Sequence, residues 1–200
     1  WVLIGGIIVV ALFVLFFYNR YKLTNAQKIL IEQQKELTEK QKKEIEHKSL
    51  LITQSINYAK RIQDAFIQSE TVLKENGQDH FILNIPKDIV SGDFLWAKIV
   101  NDKFLFAVAD CTGHGVPGAF MSLVGYNLLE QAVDVFNKTE PKDILENMST
   151  NLKKALKPKG GLRSYEGMEI LLCSLDKKIN KLLFSGSKHR LLHCSSGVIT

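Results

Sequence analysis

Cysteine and proline are scarce in this chain of 200 residues, which holds three cysteines and four prolines. Cys111, Cys173 and Cys194 lie far apart and form no Cys-x-x-Cys pair. An odd number of widely spaced cysteines argues against a disulfide framework and against a zinc site built from paired cysteines. We therefore expect free thiols and a reducing compartment.

Charged residues are absent from the start of the chain. The residues from Trp1 to Tyr18 are almost all apolar, and Arg20 then opens a basic stretch. A helix over these residues would reach ~27 Å, near the ~30 Å thickness of the bilayer hydrocarbon. The bulky aromatic residues before Arg20 are unlike the small-residue cleavage site of a signal peptide. The pattern predicts a transmembrane helix over residues 1–19, in contact with a lipid bilayer.

Positive charge is concentrated directly after this apolar segment. Residues 20–61 hold ten Lys or Arg against five Asp or Glu, an excess equal to the formal net charge of +5 of the whole chain. Basic residues beside an apolar span indicate the cytoplasmic side of a membrane and anionic lipid more simply than nucleic acid. We expect the chain to sit in the cytoplasmic (inner) membrane, with the following part in the cytoplasm and with no nucleic-acid partner.

Proline and glycine are both missing between Tyr21 and Asn76. This composition predicts a helical linker over residues 20–76. Apolar residues recur every seven positions in two series, Leu23, Leu30 and Leu37, and then Ile45, Ile52, Ala59, Phe66 and Leu73, with Ile56 between. The seam favours a coiled coil and a homodimer, and a solvated spacer helix is the alternative. The eight-residue step between the two series predicts a local rewinding near Glu44.

After residue 76 the pattern changes to short β-type runs separated by turns, followed by two helical stretches. The predicted strands are Phe81–Ile85, Asp93–Val100, Lys103–Ala109, Glu169–Leu175 and Leu182–Ser185. Asn101-Asp102 predicts a hairpin between the second and third of these strands. The predicted helices are Val116–Asn137 and Pro141–Leu156, each with a proline in its first turn.

Two motifs place a carboxylate beside a glycine turn at the end of a predicted strand. They are Ser91-Gly92-Asp93-Phe94 and Ala109-Asp110-Cys111-Thr112-Gly113-His114-Gly115. Such an arrangement suits a hard divalent cation, because the carboxylate supplies charge and the glycines let backbone carbonyls approach. Either motif alone is also typical of an ordinary turn. Their order and spacing make the metal-site hypothesis more specific.

Two further segments extend this pattern in both directions. The run from Ser55 to Phe66 precedes the motifs, and Glu166-Gly-Met-Glu-Ile-Leu-Leu-Cys-Ser-Leu-Asp176 and Phe184-Ser-Gly-Ser follow them. In this order the segments resemble the type 2C-like (PPM) metal-dependent protein phosphatases, in particular the SpoIIE/RsbU branch of bacterial regulatory phosphatases. The resemblance covers the chain from Ser55 to its end, and an ordered match of four parts is more specific than any one motif.

The resemblance implies an α/β fold, an α-β-β-α sandwich, preceded here by the transmembrane helix and the coiled-coil helix. Residues 77–200 would form the N-terminal part of the phosphatase domain. The family binds two Mg²⁺ or Mn²⁺ ions, bridged by a water or hydroxide that attacks the phosphoester. Its last metal-binding aspartate would lie further along than this chain reaches. We therefore expect an incomplete domain, inactive as a fragment.

The same resemblance assigns roles to particular residues. Asp110 matches the carboxylate that bridges both ions, the backbone carbonyl of Cys111 matches a ligand, and Asp93 matches the carboxylate on the preceding hairpin. Glu166 stands where the family has an aspartate ligand, and Glu169 where relatives often have another acid. Each glutamate displaces its carboxylate by about 1.5 Å. His114 is a candidate general acid, and a turn residue between two glycines is the alternative.

These expectations combine into a membrane-anchored protein serine/threonine phosphatase of bacterial signal transduction that acts on a phosphorylated regulatory protein. The alternative is a catalytically impaired pseudophosphatase that serves as a binding platform, which Glu166 and Glu169 would favour. A sensor histidine kinase shares the membrane and coiled-coil plan. It fits less well, because no glycine-rich ATP-binding pattern follows and His47 lacks the expected acidic neighbours.

Overall fold

The computed structural model describes residues 2–67, 69–76, 80–156, 167–195 and 198–199. The chain divides into two compact units, Trp1–Thr53 and Gln54–Thr200. The first unit holds most of helix α1, which runs from Val2 to Phe66. The second unit contains the end of α1 and all of the sheet, and every candidate site residue belongs to it.

In the first unit, α1 is a helix with a largely polar surface after its apolar start. Ion pairs one turn apart, such as Lys48 with Glu44 at 2.8 Å, stabilise the helix modestly. The apolar seam residues Leu30, Leu37 and Ile45 are all more than half exposed in the single chain. The helix predicted for the linker is therefore present, and the homodimer stays a prediction.

The predicted transmembrane helix is contradicted. Among the residues that the structure describes, no helix is both long enough and apolar enough to cross a membrane. The predictions of a span over residues 1–19 and of a place in the inner membrane are both wrong by this criterion.

The predicted linker helix is interrupted near its end. Helix α1 stops at Phe66, and a separate helix α2 spans Ser69–Asn76. The amide of Ile67 still donates to the carbonyl of Gln63 at 2.9 Å, and the Ile67 side chain packs against the main core. Burial of this side chain favours the turn, although no proline or glycine marks it in the sequence.

Four antiparallel strands form the sheet, in the order β1-β2-β3-β4. Their bounds are Phe94–Val100, Lys103–Cys111, Met168–Asp176 and Lys181–Ser187. Asn101 and Asp102 connect β1 to β2 with φ angles of 50° and 65°. Two residues with positive φ are the signature of a type I′ hairpin turn. The predicted hairpin is thus confirmed.

Helices α3 (Gly115–Asp134) and α4 (Pro141–Ala155) pack on one face of the sheet. The core between them is centred on Trp96, Leu105, Leu129, Ile144 and Leu172, which are all fully buried. Both helices lie within about three residues of the predicted ranges. The two-residue strands β5 (Cys194–Ser195) and β6 (Val198–Ile199) pair with each other separately.

The opposite face of the sheet is only partly covered. Leu73 of α2 packs there with Ala97 and Phe104. Residues 81–85, predicted as a strand, have no regular secondary structure, and Phe81 and Ile85 are more than four-fifths exposed. The described residues thus contain one helix-covered sheet and a small strand pair, an α/β fold that lacks the second large sheet of the predicted α-β-β-α sandwich.

Candidate active site

Two carboxylates meet at one edge of the sheet. Phe94 of β1 is paired with Ala109 of β2, so Asp93, directly before β1, lies opposite Asp110 near the end of β2. The two carboxyl groups are close enough for Asp110 to raise the pKa of Asp93. Both residues are exposed to solvent on the sheet face opposite to α3 and α4. The hairpin register therefore brings together two acids that are separated by sixteen residues in the sequence.

The electrostatics of this pair are unfavourable to two negative charges. Partial burial raises the pKa of Asp93, and the negative charge of Asp110 and the hydrogen bond to it raise the pKa further, whereas His189 lowers it. Two carboxylates at one position oppose the ionisation of each other. A proton or a cation would relieve this repulsion, which is the chemical property expected of a cation-binding pair.

Cys111 follows Asp110 but points to the other side of the sheet. Its side chain is buried in the main core. Burial above all, with smaller effects of Asp110 and Asp93, raises the pKa of the thiol to about 12. The thiol is therefore neutral at physiological pH and unsuited to act as a thiolate nucleophile or metal ligand. This orientation is consistent with a role of Cys111 through its backbone carbonyl.

Glycines let the two motifs pack tightly. A Cβ on Gly92 would lie 3.1 Å from the carbonyl oxygen of Gly113 and 3.2 Å from that of Cys111. A Cβ on Gly118, in the first turns of α3, would lie only 2.6 Å from the Gly113 oxygen. Gly113 and Gly115 have φ angles of 95° and 63°. Side chains would obstruct this packing, so the glycines allow carbonyl oxygens to gather beside Asp93.

Hydrogen bonds also connect the loop after Asp110 to the residue before β3. The Thr112 amide and hydroxyl each donate to the carbonyl of Gly167 at 2.9 Å, and the Gly167 amide donates to the hydroxyl at 3.1 Å. These hydrogen bonds hold residue 167 against the loop that follows Asp110. Glu166, the predicted ligand directly before it, lies outside the described residues, and its role stays a prediction.

Glu169 is the next acid along the same edge. It is paired with Asp110 in the register of β2 and β3. Its carboxylate forms an ion pair with Lys188, with 3.1 Å between Nζ of Lys188 and Oε1 of Glu169. Glu169 therefore lies next to the acid pair, Asp93 and Asp110, and the charge of Glu169 itself is balanced by Lys188.

His114 has a partner that sequence reasoning missed. Its Nδ1 lies 3.0 Å from Oδ2 of Asp88, in an exposed pair. A carboxylate on one ring nitrogen orients an imidazole and selects its tautomer. The prediction of His114 as a general acid lacked such a partner, and Asp88 supplies it. The only hint in the sequence is that Asp88 lies five residues before Asp93 in the same loop.

Gln63 at the end of α1 is a second residue that the sequence reasoning missed. Its side-chain amide nitrogen donates to the Ser91 carbonyl at 2.6 Å and to the Ser122 hydroxyl at 2.8 Å, and its oxygen accepts from the Ser91 amide at 3.1 Å. The Ser91 hydroxyl in turn accepts from the Asp93 amide at 3.0 Å. Gln63 falls seven residues after Ile56, at a seam position where an apolar residue would be expected. A polar residue at an apolar seam position is the sequence feature that could have identified Gln63.

A cavity of about 620 Å³ opens beside the acid pair on the less covered sheet face. Its walls are mainly apolar, with Leu73, Phe81 and Phe106 among them, and Asp93, Asp110 and His189 supply the charged or titratable groups. Nε2 of His189 is buried and forms no hydrogen bond within the described part of the chain. An apolar cleft with a few converging polar groups is the usual form of a binding site.

The metal-site hypothesis is supported only in part by this geometry. Asp93 and Asp110 offer hard oxygen donors, which Mg²⁺ and Mn²⁺ prefer. Across the described ranges, no cluster of three or more His, Cys, Asp or Glu side chains has a geometry that could hold a metal ion. The described residues therefore supply two candidate metal ligands, Asp93 and Asp110, and not a complete metal centre.

One comparison with known proteins found a structure of similar fold. A solved structure of the SiaA-PP2C domain of Pseudomonas aeruginosa is similar to this chain, with a TM-score of 0.62 and 31% sequence identity over 70% of the chain. The match spans 55% of the SiaA-PP2C chain, about half of its length. No protein-family model matches the sequence, and no curated protein matches it either. The fold is therefore phosphatase 2C-like, whereas the SpoIIE/RsbU branch stays a prediction.

Proposed function

We propose that this chain is part of a metal-dependent protein serine/threonine phosphatase that acts in bacterial signal transduction. The observation that carries the proposal is the meeting of Asp93 and Asp110 at one sheet edge, in a fold similar to the SiaA-PP2C domain. The substrate class that we propose is phosphoserine or phosphothreonine in a regulatory protein, as the resemblance implies.

The proposed cofactor is a pair of Mn²⁺ or Mg²⁺ ions, for which Asp93, Asp110, the Cys111 carbonyl and Glu166 are the proposed ligands. When bound, the ions would neutralise the phosphate charge and lower the pKa of water, the chemistry of two-metal hydrolysis. Burial and, after it, the negative charge of Asp110 raise the pKa of Asp93, and the repulsion between the two carboxylates supports cation binding here. The Cys111 and Gly113 carbonyl oxygens, gathered around Gly92, add donors of the same hard type.

The protein's own residues contribute orientation and proton transfer. The hydrogen bonds from Thr112 to Gly167 keep the loop after Asp110 in place. His114, held by Asp88 through Nδ1, can donate a proton from its other ring nitrogen to the oxygen that leaves the phosphate. The thiol of Cys111 is buried and protonated, so no covalent phosphocysteine is part of the proposal.

A pseudophosphatase is the second candidate, and Glu169 favours it. In the described residues Glu169 forms an ion pair with Lys188, so its carboxylate is already balanced by a cation. A carboxylate that is paired with a lysine attracts a metal ion less strongly than a free carboxylate does. In this case the domain would bind a phosphoprotein without hydrolysing it.

Hydrolysis of p-nitrophenyl phosphate by the complete polypeptide tests the proposal. We expect turnover with Mn²⁺ or Mg²⁺, none in chelator, and a loss of at least about a hundredfold in Asp110→Asn. Asp143→Asn in α4 is a matched control, because this aspartate is exposed and lies in a helical first turn. Turnover in chelator, or full activity of Asp110→Asn, would show that the acid pair is not the active site. Phosphoprotein binding without any turnover would favour the pseudophosphatase.

We also propose that the seam of α1 forms a homodimer. Leu30, Leu37 and Ile45 are exposed apolar residues at near-heptad spacing in the largely polar part of α1 that follows its apolar start. Leu37→Lys should convert the dimer into a monomer in analytical ultracentrifugation, whereas Lys40→Ala, off the seam, should not. A wild-type protein that sediments as a monomer would rule out this assembly.

A further inference from the structure

Four charged residues form a row across the sheet at the edge that carries the acid pair. Asp93 precedes β1, Asp110 lies near the end of β2, Glu169 lies near the start of β3, and Lys188 follows β4. Lys188 is the one cation in this row. We propose that Lys188 binds the phosphoryl group of the substrate. The inference rests on the proposed phosphatase function and names a substrate-contacting residue for it.

The charge balance of the edge gives the first reason. A phosphomonoester carries up to two negative charges and would be repelled by Asp93 and Asp110. A cation on the approach side of these acids reduces the repulsion. The side chain of Lys188 ends in an ammonium group with three N–H donors, which suits phosphate oxygens.

The ion pair with Glu169 leaves Lys188 available. Nζ of Lys188 lies 3.1 Å from Oε1 of Glu169, and the two side chains are 76% and 40% exposed. Solvent-exposed ion pairs of this kind contribute little to stability. The pair can therefore open in favour of a dianionic ligand, while Glu169 keeps the free lysine close to the Asp110 strand.

The backbone at Lys188 gives an independent reason. Its φ angle is 64°, in the left-handed region. The four other non-glycine residues with positive φ among those described are Asn101, Asp102, Asn137 and Asn180. Asn and Asp are the usual side chains in this region, whereas lysine is uncommon there. Such backbone strain collects at functional sites, where it fixes the direction of a side chain.

His189 places the same segment beside the acid pair. It lines the cavity together with Asp93 and Asp110, and its Nε2 is buried without a hydrogen bond among the described residues. Its influence on Asp93 shows that the two groups are close. The segment after β4 therefore presents Lys188 to solvent and His189 to the cavity that Asp93 and Asp110 line.

Kinetics of the complete polypeptide at saturating Mn²⁺ test this role. For Lys188→Gln we expect KM for p-nitrophenyl phosphate and the inhibition constant of inorganic phosphate to rise about tenfold, with kcat within about twofold of wild type. Lys188→Arg should stay near wild type. Lys178→Gln is the matched control, because Lys178 is also exposed and paired with a carboxylate, that of Asp102, but at the other end of the sheet.

The variant Glu169→Gln distinguishes phosphate binding by Lys188 from a role of Lys188 that is limited to its ion pair with Glu169. If Lys188 binds phosphate, loss of its partner frees the lysine, and the inhibition constant of phosphate stays unchanged or falls. If Lys188 serves only to balance Glu169, the two single variants both perturb the acid pair and raise the apparent Mn²⁺ requirement together. The second result would overturn the inference.

Calorimetric titration with inorganic phosphate adds a readout that needs no turnover. We expect Lys188→Gln to weaken phosphate binding about tenfold and Lys178→Gln to leave it unchanged, with circular dichroism of both variants like that of wild type. Equal phosphate affinity in wild type and Lys188→Gln would refute the role of Lys188, even where the wild type hydrolyses phosphoesters. Absence of turnover in the wild type would instead contradict the proposed function.

Discussion

Gln63 and Ser91 are joined by two hydrogen bonds, one in each direction. The Gln63 side chain donates to the Ser91 carbonyl at 2.6 Å and accepts from the Ser91 amide at 3.1 Å. Gln63 is 3% exposed, so both bonds are shielded from water. The end of α1 is thereby fastened to the loop that carries Asp93, and a change in α1 can alter the position of that carboxylate.

Substitution of Gln63 tests this connection. Gln63→Ala leaves the Ser91 amide without its side-chain partner, which costs about 1–3 kcal/mol when the amide is buried, whereas the Ser91 carbonyl still accepts from the Ser122 hydroxyl at 3.3 Å. We expect a lower melting temperature and a higher Mn²⁺ concentration for half-maximal activity. Gln54→Ala, in the exposed part of α1, is the control and should change neither quantity. An unchanged Mn²⁺ requirement in Gln63→Ala would show that Gln63 is structural alone.

Gly118 should be intolerant of any side chain. A Cβ there would lie 2.6 Å from the Gly113 carbonyl oxygen, closer than real contacts allow, so the loop after Asp110 must move. We expect Gly118→Ala to lower activity at least tenfold, since a displacement of about 1 Å at a metal site is enough for such a loss. Gly6→Ala in α1 is the control, because among the described residues a Cβ there meets nothing within 4 Å. Assay of both variants with p-nitrophenyl phosphate distinguishes them.

Removal of one charge from the acid pair should stabilise the protein without metal. Burial and Asp110 raise the pKa of Asp93 in the folded state, so wild-type stability falls as the pH rises through the carboxyl range. In chelator at pH 7 we therefore expect Asp93→Asn to melt a few degrees higher than wild type. The gain should vanish in acid, where Asp93 is protonated. Stabilisation by added Mn²⁺, measured by thermal shift, should be lost in the same variant.

Lys98 should contribute stability only while it is charged. Burial lowers the pKa of Lys98, but hydrogen bonds to Asp134 and Glu130, at 2.7 and 2.6 Å, and their charges outweigh this and raise it overall. A raised pKa means that the stabilisation is complete below the ordinary value of 10.5 and is lost as the pH rises through the folded-state value. We expect Lys98→Met to lower the melting temperature at pH 7 and to differ less from wild type at pH 11. A constant difference would contradict the assignment.

The sequence by itself determined the local elements of this fold. The Asn101-Asp102 turn specified the β1–β2 hairpin, because Asn and Asp tolerate the positive φ angles of a type I′ turn. Pro117 and Pro141 marked the starts of the two helices, since proline fits a first helical turn. The hairpin also determined that Asp93 and Asp110 would meet, because antiparallel pairing places the residue before β1 opposite the end of β2.

The tertiary structure alone decided the contacts that join distant segments. The pairs Gln63–Ser91, Asp88–His114 and Glu169–Lys188 depend on how α1, the loop before β1 and the turn after β4 pack, and no local pattern encodes this packing. Hydropathy alone predicted a membrane span that the described helix does not satisfy, and β propensity alone predicted a strand over residues 81–85. A strand requires a partner for its backbone hydrogen bonds, and pairing is a property of the assembled sheet rather than of the segment.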